Sequence, residues 1–234
     1  MLLRLVFFGL CGIASAQASR TVLDGVYSDA QAARGQALFK EKCARCHEGA
    51  DVDGPPLTGA PFLDRWREDT LAGLFDFLQT RMPQDAAGSL KPQEYADLLA
   101  RLLRENQYSA GDRELTPADM ASVKLVGPDG PKPMPANALV VAVGCLAAGA
   151  NDTWTVTNVA ALTRTHSGDE TTDAELKRSA DRPLGTASFP LQNFDDGKAL
   201  AGQKVQIKGV LRRQGNTERI NVLLAKSVGA SCKP

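Results

Sequence analysis

Apolar residues return every three to four positions in three stretches of the first half of the chain, and every second position in five short stretches of the second half. The first helical stretch runs from Ser28 to His47, with Ala33, Leu38, Phe39 and Cys43 on one side and Asp29 able to cap its start. Pro55, Pro56 and Gly59 then interrupt regular structure. Asp69 or Thr70 can cap a second helix through Leu71, Leu74, Phe75 and Leu78, which stops before Met82-Pro83. A third begins near Pro92, where proline is tolerated, and repeats Tyr95, Leu98, Leu99, Leu102 and Leu103. Residues 28–107 thus predict an all-α unit, small enough to need a staple or a cofactor. Residues 108–136 contain Pro117, Pro128, Pro131, Pro133 and Pro135 and predict a semi-rigid linker with a short helix over Pro117 to Leu125. Beyond it, residues 137–234 predict strands over Leu139–Leu146, Trp154–Val159, Gly185–Leu191, Lys204–Leu211 and Ile220–Val228. Alternation is clearest where Val205, Ile207 and Gly209 oppose Lys204, Gln206 and Lys208, so the lysines are expected in solvent. The polar stretch Thr163–Arg182 reads as an exposed loop or hairpin. The fold class is α+β in two domains, an all-α unit followed by a small all-β barrel or sandwich of about five strands.

Length and composition agree with this division. A chain of 234 residues with 43% hydrophobic and 23% charged side chains is ordinary for globular domains. The N-terminus differs: Arg4, the apolar run Leu5–Ile13, and small residues at Ala14, Ala16 and Ala18 read as a secretory signal over residues 1–18, cleaved after Ala16 or Ala18. No later segment has a comparable apolar run, so no transmembrane segment is expected in the mature chain, which is expected in the periplasm or outside the cell. Lys and Arg total 27 and Asp and Glu total 27. Residues 20–107 hold more carboxylates than basic groups, which argues against nucleic-acid binding.

Candidate chemistry centres on Cys43-Ala44-Arg45-Cys46-His47. On a helix, positions i, i+3 and i+4 share a face, so two thiols and an imidazole can address one planar group. This is the spacing of c-type haem attachment, with thioether bonds from Cys43 and Cys46 and His47 as an axial iron ligand. A redox dithiol would want a strand before the motif, and here a helix precedes it. Structural zinc would want four ligands, whereas the chain has 2 histidines, His47 and His166, and its other mature cysteines lie far along the sequence. The opposite axial position has three candidates. Met82 follows the second helix in a loop stiffened by Pro83, Met134 lies in the linker, and His166 sits among polar neighbours that suggest exposure. Loop position and domain closure favour Met82.

The stretch Ala33–Leu103 resembles a class I cytochrome c domain. Arg81-Met82-Pro83, Gly88-Ser89-Leu90 and Glu94-Tyr95-Ala96-Asp97-Leu98-Leu99 are similar to cytochrome domains associated with quinoprotein dehydrogenases. The resemblance implies one covalently bound haem c and crossing terminal helices that pack Gly35 and Phe39 against Tyr95, Leu98 and Leu99. It implies a Pro55 carbonyl, from Gly54-Pro55-Pro56-Leu57, that accepts a hydrogen bond from His47. Trp66 and Arg81 are expected either around the haem or in ordinary packing and solvation. More loosely, Gly144-Cys145-Leu146, the strand rhythm and Ser231-Cys232 resemble small secreted OB-like domains. Cys145 and Cys232 lie at the first and last strands, so a disulfide is the natural reading in an oxidising compartment, with free thiols or metal ligation as alternatives. Lys204, Lys208, Arg212, Arg213 and Arg219 form a solvated face or a docking face for an acidic partner. The function implied is non-enzymatic: single-electron transfer between a dehydrogenase donor and a cytochrome or oxidase acceptor. Two other readings stay open, a haem enzyme or gas sensor with a free sixth position, and a partner-binding β module carrying an accessory cytochrome.

Overall fold

The computed structural model describes residues 20–49 and 53–232; the expected signal at residues 1–18 lies outside them. The chain begins with β1 (Arg20–Thr21), which pairs in parallel with the distant β2 (Val123–Lys124). Between them lie the helices. Ser28 Oγ accepts the Gln31 N–H to start α1 (Asp29–Lys42), and Cys43, with φ −125° and ψ −29°, ends it. A separate turn, α2 (Ala44–His47), follows, so the continuous helix expected over Ser28–His47 is broken at Cys43. The Cys43 carbonyl accepts from both Cys46 and His47 N–H at 3.1 Å, which tightens the turn under the motif.

A helix not expected from the sequence, α3 (Gly59–Trp66), accommodates Pro61 in its first turn, where the N–H groups lack intrahelical partners anyway, and buries Phe62 and Trp66 one turn apart. Then come α4 (Leu71–Arg81) and α5 (Pro92–Glu105), the latter with Pro92 at its start and Glu94 accepting the Lys91 N–H. α5 crosses α1 at Gly35, whose nearest non-local atoms belong to Asp97 and Arg101. Fully buried Gln31 bridges the crossing, donating to Asp97 (3.1 Å) and exchanging two bonds with the Leu115 backbone (2.8 Å each).

The segment expected as a linker belongs largely to this core. Leu115, Met120, Val123, Leu125 and Val126 are all buried with the helices. The short helix there is a 3-10 turn over Pro117–Ser122, followed at once by β2. Tyr27 and Tyr108 fasten it in series, Tyr27 donating to the Tyr108 carbonyl (2.5 Å) and Tyr108 to that of Val126 (2.6 Å). Prolines stiffen the segment, but its apolar residues decide where it sits.

The second half contains, in chain order, β3 (Leu139–Ala148), β4 (Trp154–Val159), β5 (Thr163–Arg164), α6 (Asp173–Asp181), β6 (Ala187–Gln192), the short α7 (Gly197–Leu200), β7 (Lys204–Gln214) and β8 (Thr217–Gly229). β3 pairs antiparallel with both β4 and β7, β7 antiparallel with β8, β8 parallel with β6, and β6 antiparallel with β4. These five strands form a closed ring, and β5 pairs with β3 beside it. Val140, Ala142, Val156, Val205, Ile207 and Ile220 fill the interior. A disulfide joins Cys145 on β3 to Cys232 beyond β8, closing a loop with a sequence separation of 87. In the chain-entropy model such a loop contributes on the order of 4 kcal/mol.

Two expectations about polar residues are overturned here. Thr163–Arg182, expected as an exposed loop or hairpin, contains β5 and α6 joined by an irregular stretch, and Lys208 is 0% exposed rather than solvated. α6 lies over the outer face of β7 and is fastened to it by polar contacts. Lys204 donates to the Ala180 and Arg182 carbonyls (2.6 Å each), Gln206 to Ser179 (2.8 Å), and Lys208 to the Glu170 carbonyl and the Glu175 carboxylate (3.1 Å). Strict alternation along β7 therefore marks inside against covered outside.

Burial opposes Glu175 ionisation, but the Thr172 N–H and the Lys208 ammonium outweigh it and hold the carboxyl below its ordinary value of 4.5. That contribution to stability is complete above the unfolded-state value and disappears as pH falls through the depressed folded one. Glu175→Gln should therefore lower the urea midpoint at pH 7, and the gap to wild type should narrow progressively as pH falls below about 4. Midpoints measured at both pH values check this; a gap that persists in acid would rule out the pairing as its cause.

Candidate functional site

The motif hangs from the C-terminal end of α1. Cys43 is half-buried and Cys46 exposed, and both thiols are free. Burial raises the Cys43 thiol pKa, with Arg101 opposing, which is the reverse of what a reactive dithiol needs. His47 Nδ1 lies 3.2 Å from the Pro55 carbonyl. An Nδ1–H donated there leaves the Nε2 lone pair available to a metal.

Gly54 makes this approach possible. Its N–H donates to the Cys46 carbonyl (2.9 Å), and a Cβ at this position would stand 2.5 Å from both that oxygen and His47 Nδ1. Only glycine lets the Pro55 segment close over the imidazole. Around His47 is a cavity of about 330 Å³ walled by Phe39, Pro55, Pro56, Leu57 and Arg101. Two unpaired thiols on one turn, an oriented imidazole and the apolar side chains of Phe39, Pro55, Pro56 and Leu57 beside it fit a covalently held haem.

The remaining expected residues lie elsewhere. Met82 ends α4, with its N–H on the Leu78 carbonyl (3.0 Å) and its own carbonyl accepting the Tyr95 hydroxyl (3.0 Å). It lines a broad groove between α4 and the β unit, so His47 and Met82 face different cavities. Trp66 is 4% exposed and packs edge-on to Phe77 (centroids 5.3 Å apart) and against His166 (3.9 Å). Arg81 is exposed and meets Glu170 at 3.7 Å. Neither lines the His47 cavity. Met134 packs against the barrel core.

His166 is not exposed, as its neighbours suggested: its side chain is 17% accessible and stands 3.3 Å from Asp69. Burial pushes the Asp69 carboxyl up, and His166 opposes that shift. This contact belongs to a charged seam between the helices and the β unit. Arg164 donates to the Asp64 and Arg67 carbonyls (3.1 and 2.9 Å), and Arg178 meets Asp76 at 2.5 Å.

Sequence reasoning missed Arg101. It follows Asp97 by one helical turn on the face of α5 that meets α1, and that spacing is the signal that could have found it.

Residues 30–100 match the family model described as Cytochrome C oxidase, cbb3-type, subunit III. No curated protein and no solved structure matches the chain. The match supports a class I c-type cytochrome domain in the helical half, which implies haem c and a part in electron transfer. The chain is thus a helical cytochrome domain followed by a β-sheet-rich region.

Proposed function

We propose that the chain is an exported monohaem cytochrome that passes single electrons between protein partners. Cys43 and Cys46 hold the haem covalently through thioether bonds, and His47 and Met82 supply its two axial ligands. The observation that carries this reading is the His47 imidazole on the Pro55 carbonyl, one turn from two free thiols. Bound haem c supplies an iron that takes and gives one electron at a time. The chain's residues orient the ligand: the Pro55 carbonyl fixes the ring tautomer, and Gly54 keeps the approach open. Phe39 and Leu57 give that side of the cavity its apolar surface.

The donor in this proposal is a dehydrogenase of quinone-cofactor type, and the acceptor a cytochrome or an oxidase. The location is the periplasm or the exterior, after removal of residues 1–18. The Cys145–Cys232 disulfide suits such a compartment, and no helix among the described residues is long and apolar enough to cross a membrane. The ring of five strands, with its parallel β6–β8 closure, supports reading the β unit as an OB-like barrel that positions the haem domain on its partner.

One observation favours a second reading. His47 and Met82 line different cavities, as they would if the sixth position stayed open for a small ligand. Met82→Ala separates the two. In the carrier, the purified ferric protein is low-spin and the variant turns high-spin. A wild-type spectrum that is already high-spin, and unchanged by the substitution, removes the carrier reading.

A further inference from the structure

Resting on the haem reading above, we infer that Arg101 is a fixed positive charge that raises the reduction potential of the haem held beside His47. Arg101 is 7% exposed although it carries a full charge. Its guanidinium carbon stands 3.5 Å from the centroid of the Phe39 ring, and Nε donates to Gln36 Oε1 at 3.0 Å. Among the described residues no carboxylate comes within ion-pair distance of it; Glu105 and Glu48 act on it only from farther off. The side chain walls the same cavity as His47, and its charge is felt at the Cys43 thiol.

A buried cation without a close counter-charge is costly unless something compensates it. The Phe39 face supplies part of that compensation, because a planar, weakly hydrated guanidinium stacks on an aromatic ring where an ammonium would demand more water. What remains is a positive potential directed at the attachment side of the site.

Reduction delivers one electron from a donor to the iron and lowers the local charge by one. A neighbouring cation therefore destabilises the ferric state more than the ferrous state, and a low-dielectric core weakens this effect less than water would. No proton accompanies the electron on Arg101, since a guanidinium stays charged across the accessible pH range. The contribution is consequently constant with pH, unlike one from a histidine or a propionate.

Ordinary packing of the α1–α5 crossing is the competing account. Redox titration of the haem-loaded, full-length protein distinguishes the two. Arg101→Gln should shift the reduction equilibrium toward ferric haem by about tenfold, equal to about 59 mV for a one-electron couple. The offset should be the same at about pH 6 and pH 8. Arg101→Lys should recover most of the potential, because it restores charge without restoring the planar stack. Gln36→Glu leaves Arg101 in place and sets a carboxylate on its Nε, so it should lower the potential in the same direction. If Gln36→Glu and the Arg101 variants all titrate at the wild-type potential, the inference is wrong, whatever happens to their melting temperatures. Wild-type protein without covalent haem would instead overturn the haem reading and this inference with it.

Discussion

Adding one methyl group at position 35, by Gly35→Ala, is expected to destabilise the helical unit by about 3 kcal/mol, in the upper range for overpacking. The sign is the informative part. Inside an exposed helix the same change normally stabilises by close to 1 kcal/mol, because alanine has the better propensity. Here the new Cβ would lie 1.9 Å from the Asp97 carbonyl oxygen, 2.6 Å from its carbon and 3.0 Å from Arg101 Cβ. Two of those three atoms are helix backbone, which cannot swing aside as a side-chain end can. Relief requires α1 and α5 to separate. Asp97 also accepts from Gln31 at 3.1 Å and Arg34 at 2.9 Å, so separation strains those bonds as well. Urea denaturation followed by far-ultraviolet circular dichroism measures the outcome. A midpoint equal to or above wild type would show that the helices do not cross at this glycine.

The second large effect is chemical. Cys43→Ala with Cys46→Ala should remove haem from the denatured polypeptide altogether, seen as loss of peroxidase-type haem staining on a denaturing gel. Each single variant should retain some attachment through its remaining thiol. The two sites differ, since Cys43 is half-buried at the break after α1 and Cys46 is exposed on the next turn. Removing Cys43 should therefore reduce the yield of folded protein more than removing Cys46. Persistent staining of the double variant would sink the attachment proposed for both residues.

Much of the fold was legible because apolar spacing is a strong signal over long elements. α4, α5 and the five long strands lie within a few residues of where periodicity places them. The exceptions share a physical cause. α3 has only eight residues between breakers, and two buried aromatics give too short a repeat to identify a helix. α6 is held mainly by Lys204, Gln206 and Lys208 through hydrogen bonds and charge, so its attachment leaves no apolar stripe to find. The same contacts hide Lys208 from a rule that sends lysines to solvent. Prolines in the linker were read for stiffness, while the burial of Leu115, Met120 and Val126 depends on a surface that exists only after the helices assemble.

At the candidate site, spacing identified the two thiols and the imidazole because they lie within five consecutive residues. The Gly54–Pro55 approach was readable through family resemblance, since the contact joins loop residues with no periodic relation. Arg101 was hidden because a charged residue on a helix normally reads as solvated. Its burial comes from the crossing with α1, which brings Phe39 and Gln36 to it from the other end of the domain.

The pairing of β1 with β2 brings the beginning of the helical unit to its end, Thr21 beside Lys124. A protease or a gene-splicing boundary placed at Gln107 would split that unit, removing Leu115 through Val126 from the interior they fill. The natural place to sever the two halves lies in the proline-rich stretch after Val126, where the chain has left the first core and has not entered the second. A haem domain isolated by cutting there keeps both of its tyrosine fastenings, whereas one cut at Gln107 keeps neither.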